Sequence, residues 1–127
     1  MKSNITGLAH IGIFVKDINK SIDFYERLGF VLDQKDSAGD IQLAILSAGT
    51  CIIELVEKDE ERVAGVVDHI AVTVDSVDEA VSNAKANGID IDASLIENVS
   101  VFGGIKNVFF NGPDGERLEF FEYTSNE

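Results

Sequence analysis

The chain has 127 residues and a net charge of −13, with 10 basic side chains against 23 acidic ones. A field of that sign repels phosphate backbones and anionic bilayers, which argues against nucleic acid or a membrane as partner. The uninterrupted apolar runs fall far short of the roughly 20 residues that a bilayer-spanning helix needs, and the length is that of a single domain, residues 1–127, with room for a real core.

Cys51 is the only cysteine, so no intrachain disulfide can form. The polar opening MKSNITGLAH lacks the apolar centre of a secretory signal, and the two features together lead to the expectation of a reducing, cytoplasmic setting.

Residues 8–15 alternate, with Ile11, Ile13 and Val15 on one face and His10, Gly12 and Phe14 on the other, as in a strand. Asp17 is placed to cap a helix in which Ile18, Ile22, Tyr25 and Leu28 recur at helical spacing until Gly29 supplies the stop. Three further strands are predicted at 31–36, 41–47 and 50–57, with turns at 38–40 and 48–49. In the last of them Cys51, Ile53 and Leu55 share one face, and Ile52, Glu54 and Val56 the other. The charged run EKDEER, residues 57–62, reads as a solvated connector.

The pattern then starts again. His69 stands 59 residues after His10, and Ile70, Val74 and Gly88 stand 59 after Ile11, Val15 and Gly29. Residues 67–74 predict a strand with His69, Ala71 and Thr73 on one face, and 76–87 predict a helix stopped by Gly88. Strands are expected at 91–95, 106–110 and 117–123, with NGPDG at 111–115 as the turn before the last. In that last strand Leu118 and Phe120 oppose Arg117, Glu119, Phe121 and Tyr123. The chain is therefore predicted to be α+β: two tandem βαβββ modules, 8–57 and 67–123, whose curved sheets form a groove.

Both histidines of the chain open a module, and Glu54 and Glu119 lie within the apolar strands that close the modules. A lone strand histidine is ordinarily structural and a strand carboxylate ordinarily faces water. All four at equivalent points of a repeat point instead to a site. Two imidazoles and two carboxylates suit a divalent first-row cation such as Ni²⁺, Zn²⁺ or Co²⁺, and they would leave coordination positions open. If the two sheets face each other, the four side chains can converge.

The stretches LAHIGIFVKDINKSIDFYERLGF, CIIELVE, VDHIAVTVDSVDEA and GPDGERLEFFEY resemble the vicinal oxygen chelate (VOC) superfamily, whose glyoxalase-like fold is built from paired βαβββ modules. The full ligand set His10, Glu54, His69 and Glu119 is most similar to bacterial glyoxalase I, lactoylglutathione lyase. Fosfomycin-resistance enzymes and extradiol dioxygenases typically lack the first-module glutamate, and methylmalonyl-CoA epimerase usually has glutamine there. The resemblance implies a metal-dependent lyase, an isomerising enzyme that converts the hemithioacetal of a 2-oxoaldehyde into a 2-hydroxyacyl thioester. Glu119 would be the base and Glu54 its partner.

It also implies a small-molecule substrate and a homodimer. Phe14, Thr73, Arg117 and Phe121 share the expected groove face and are the candidate substrate contacts. Phe14 stands where the bacterial enzymes usually carry an arginine for glutathione, and Lys58 where they commonly have asparagine, which weakens the expectation of glutathione as the thiol. Another enzyme of the superfamily, an epimerase or a dioxygenase, and a non-catalytic small-molecule-binding protein remain the alternatives. Cys51 reads as a packed core thiol.

Overall fold

In the computed structural model, which describes residues 8–59, 67 and 69–124, the chain runs β1 (Ile11–Val15), α1 (Ile18–Leu28), β2 (Val31–Ala38), β3 (Ile41–Ala48) and β4 (Cys51–Glu57). It continues with β5 (Ile70–Thr73), α2 (Val77–Ala86), β6 (Glu97–Val99), β7 (Ile105–Asn111) and β8 (Arg117–Tyr123). The strands form two four-stranded sheets, β1-β4-β3-β2 and β5-β8-β7-β6. This is the α+β fold of two tandem βαβββ modules expected from the repeat. Residues 60–62 of the expected connector lie outside the described residues.

In each sheet the outer strand pairs parallel to the last strand of its module, Gly12 opposite Glu54 and Ala71 opposite Glu119. Parallel neighbours need a crossover, and the amphipathic helix supplies it. In α1, Ile18, Ile22 and Tyr25 are buried at helical spacing, the Asp17 carboxylate accepts from the Lys20 amide at 3.1 Å, and Gly29 ends the helix at φ 114°, a backbone that favours glycine. In α2, Val77, Val81 and Ala84 are buried and the Ser76 hydroxyl accepts from the Glu79 amide at 3.2 Å.

One predicted strand is replaced. Residues 91–95 do not pair: Ile91 is buried, but Asp92 Oδ1 accepts from the Ser94 amide at 3.0 Å and the Ser94 hydroxyl at 2.6 Å, which turns Ala93–Leu95 into a single 3₁₀ turn. The local side-chain bond competes with the ladder and wins, and pairing begins only at Glu97.

The modules touch through α1 and the turn between β7 and β8. Leu118 of β8 belongs to the apolar cluster of the first module, while Phe24, Leu28 and Phe110 pack against both clusters. At the centre of the contact lies Glu116, 2 % exposed. Its carboxylate accepts from the Tyr25 hydroxyl at 2.7 Å and from the Asp114 amide at 2.8 Å, and Asp114 in turn accepts from the Lys16 amide at 3.2 Å. Gly112 makes room for this acid, since a Cβ there would lie 2.3 Å from the Glu116 carboxyl carbon. A buried carboxylate is expensive unless its oxygens are bonded. Tyr25→Phe removes one of the two donors, and urea unfolding is expected to show a loss of about 2 kcal/mol, the scale of a hydrogen bond to a charged group.

Candidate metal centre

Each sheet turns one face to its helix and keeps the other open. In the first module Ile13, Val15, Ile53 and Leu55 are buried on the helix side, which leaves Gly12, Phe14, Ile52, Glu54 and Val56 on the open side. In the second, Phe120 packs into the cluster of α2 and Leu118, on the same face, into that of the first module, and Glu119, Phe121 and Tyr123 take the other face. The period of two that places the core therefore also places the candidate ligands.

The parallel register brings each histidine to its own glutamate. His10 Nε2 stands 3.3 Å from Glu54 Oε1, and His69 Nε2 stands 3.1 Å from Glu119 Oε1. Each pair offers an imidazole nitrogen close to a carboxylate oxygen, donor types that fit a divalent cation of the first row. Among the described residues no three His, Cys, Asp or Glu side chains gather as a metal-holding group. Among the described residues the four candidates therefore stand two by two, His10 with Glu54 and His69 with Glu119.

The two pairs are unequally supported. Glu119 is buried, and its second oxygen accepts from the Asn107 side-chain amide at 2.8 Å. The His69 ring stands edge-on to Phe109, centroids 5.2 Å apart, and the Arg117 guanidinium lies 4.0 Å over the same ring. Asn107 and Phe109 were not among the sequence candidates. Their alternation along β7 signals only that they share an open face, and nothing in the sequence ties them to Glu119.

Of the candidate substrate contacts, Phe14 is exposed and lies under the Lys58 ammonium at 4.8 Å, while Phe121 packs edge-on to Tyr123 at 4.9 Å. Thr73 lines a cleft of about 570 Å³ that also takes in His10 and Cys51, so a metal candidate and a substrate candidate from different modules border one space. Arg117 sits on the open face of β8 and shares the Phe109 ring with His69.

A second kind of equivalence went unread in the sequence. Glu57, three residues after Glu54, accepts from the Ile18 amide at 3.0 Å, and Glu122, three after Glu119, accepts from the Val77 amide at 2.8 Å. Each satisfies an amide that the first turn of its helix leaves without a helical partner.

The family model of the Glyoxalase/Bleomycin resistance protein/Dioxygenase superfamily matches residues 7–120. YwbC of Bacillus subtilis, a protein of uncharacterised function, is 36 % identical over 89 % of this chain and 94 % of its own length. The fosfomycin resistance protein FosX of Listeria innocua is 32 % identical over 97 % and 94 %. Among solved structures, a glyoxalase family protein from Enterococcus faecalis superposes with a TM-score of 0.79 at 23 % identity, covering 91 % of this chain and 97 % of that one. FosX of Listeria monocytogenes complexed with Mn(II) and sulfate superposes at 0.70 with 22 % identity and 94 % of each chain covered.

Cys51 lies half-buried at the start of β4, and burial pushes its thiol above the usual cysteine range. At pH 8 it is expected to react with iodoacetamide more slowly than glutathione does, because the thiolate is the reactive form. Mass spectrometry of timed aliquots checks this, and alkylation as fast as that of glutathione would contradict it.

Proposed function

The chain belongs to the Glyoxalase/Bleomycin resistance protein/Dioxygenase superfamily, and from that premise we propose that it is a metal-dependent lyase of the glyoxalase type, with each site assembled from two copies of the chain. One copy contributes His10 and Glu54, the other His69 and Glu119. The observation that carries this reading is the equivalent pair in each module, imidazole against carboxylate at 3.3 and 3.1 Å. Two donors hold a divalent cation weakly, and four hold it tightly. The Mn(II) complex of FosX agrees with a divalent cation as cofactor; Ni²⁺, Zn²⁺ or Co²⁺ suits the four-donor set here.

A bound cation would supply the Lewis acidity that stabilises the negative charge of an enediolate. The chain supplies the proton traffic. A glutamate carboxylate takes the proton from the carbon that bears hydroxyl and sulfur, and the electron pair of that C–H bond passes into the enediolate. The same carboxylate returns the proton to the neighbouring carbon, while one proton moves between the two substrate oxygens. The product is a 2-hydroxyacyl thioester, and no atom is gained or lost. Phe14, Thr73, Phe121 and Arg117 are proposed to line the substrate space, three of them as walls and Arg117 as an anion-holding group.

Glu54 favours this four-ligand chemistry over the three-ligand pattern typical of fosfomycin-resistance enzymes. The likeness to FosX over nearly the whole chain supports a second reading, fosfomycin resistance. Expression in a fosfomycin-sensitive host separates the two: protection there together with no turnover of 2-oxoaldehyde hemithioacetals would favour the second.

The assembly is tested by mixing variants. His10→Ala and His69→Ala, each alone, are expected to lose most Ni²⁺ uptake. Refolded together in equal amounts they should regain about a quarter of the uptake of the unaltered protein, because half of the dimers are mixed and each mixed dimer keeps one intact site. Elemental analysis reads the outcome. No recovery would place each site within one chain, and no uptake by the unaltered, tag-free protein would sink the lyase reading.

A further inference from the structure

The repeat that makes the two half-sites alike in backbone breaks at one side chain. In β7, Asn107 stands opposite Phe121, and in β3 its repeat equivalent Leu43 stands opposite Val56. Phe121 and Val56 each lie two residues beyond the site glutamate of their strand. The second module therefore presents an amide donor where the first presents a hydrocarbon. That amide donates to Glu119 Oε2 at 2.8 Å, while Glu119 Oε1 faces His69 at 3.1 Å, so both oxygens of this carboxylate are engaged. Leu43 has no donor to offer Glu54.

Two further differences point the same way. The Glu54 side chain is 27 % exposed and that of Glu119 6 %. Across the strand, Glu54 faces Gly12 and Glu119 faces Ala71. A Cβ built at Gly12 would lie 3.7 Å from Glu54 Oε1, so the space that the Ala71 methyl fills in one module is open in the other.

We infer that Asn107 is a positioning residue that fixes Glu119 as the permanent metal-holding carboxylate and leaves Glu54 as the carboxylate that turns away to take and return the substrate proton. The inference rests on the metal-dependent reading above. It assigns opposite roles to two glutamates that the repeat makes equivalent, and it reverses the assignment that the resemblance implied. A base that is also a ligand must leave the cation in each turnover. Glu119 would have to break a charge-assisted hydrogen bond to do so, and Glu54 has no such bond from the equivalent position.

Mn²⁺ alone is the probe, followed by titration calorimetry on the intact dimer. Asn107→Leu, which gives the second module the side chain of the first, is expected to weaken Mn²⁺ binding about 10- to 100-fold, the usual effect of losing a partner that orients a ligand. Glu119→Gln should lose at least about tenfold more affinity than Glu54→Gln. Leu43→Asn, which offers Glu54 the missing donor, should bind Mn²⁺ severalfold more tightly and turn substrate over more slowly. If Asn107→Leu binds Mn²⁺ as tightly as the unaltered protein, or if Glu54→Gln costs as much as Glu119→Gln, the inference is overturned. Should Asn107→Leu fail to fold, Leu43→Asn decides: tighter binding supports the inference, and unchanged or weaker binding overturns it. Failure of the unaltered protein to take up Mn²⁺ is a separate result, which overturns the metal reading itself.

Discussion

Parallel pairing between the outer strand and the closing strand of each module is the constraint on which the rest depends. It sets Gly12 opposite Glu54 and Ala71 opposite Glu119, so the histidine two residues earlier, just ahead of each outer strand, lands beside the glutamate of the neighbouring strand. It also dictates the helix, because two parallel neighbours cannot be joined by a tight turn. The helix begins where the closing strand ends, and there Glu57 and Glu122 meet the amides of Ile18 and Val77. One register thus positions a candidate ligand and, three residues on, a helix cap.

The same register explains why the candidate site is easy to find and the difference between its two glutamates is not. Backbone pairing is common to both modules, whereas the neighbours of each glutamate belong to strands free to differ, β3 carrying Leu43 and β7 carrying Asn107. The two outer strands differ as well: Gly12 and Phe14 of the first become Ala71 and Thr73 in the second. A doubled module keeps what closes the sheet. What surrounds the chemistry can diverge, because an open face tolerates substitution that a core filled by Leu46, Ile53 and Leu55 does not.

Much of this was legible in the sequence. The offset of 59, the alternation in the strands and the stop at Gly29 define the modules, and the two histidines and two strand glutamates stand out because they recur in register. What escaped depends on contacts between distant segments. Asn107 is an ordinary strand polar residue until β8 lies beside it. Glu116 falls between the predicted turn at 111–115 and the strand at 117–123, and only the docking of α1 reveals it as a buried acid held by Tyr25. At 91–95 the apolar alternation was real, but an Asp–Ser turn two residues long overrode it, and no periodicity reports such a local bond.

Two half-sites on one chain carry a thermodynamic consequence under the proposed assembly. Within the chain the modules meet through α1, Glu116 and the turn that carries Asp114, so their mutual placement is held by bonds remote from either glutamate of the site. A cation spanning two copies binds the pair more tightly than the separated chains. Linkage then requires that dimerisation raise the affinity for the cation by the same factor by which the cation raises the affinity of the copies for each other. A net charge of −13 per copy opposes association at low ionic strength, and a divalent cation between four donors offsets part of that repulsion where it is most local. Metal and assembly are in that case one equilibrium: the chain alone is a weak ligand, the dimer a strong one, and a substitution at the junction of the modules reaches the metal without touching a ligand.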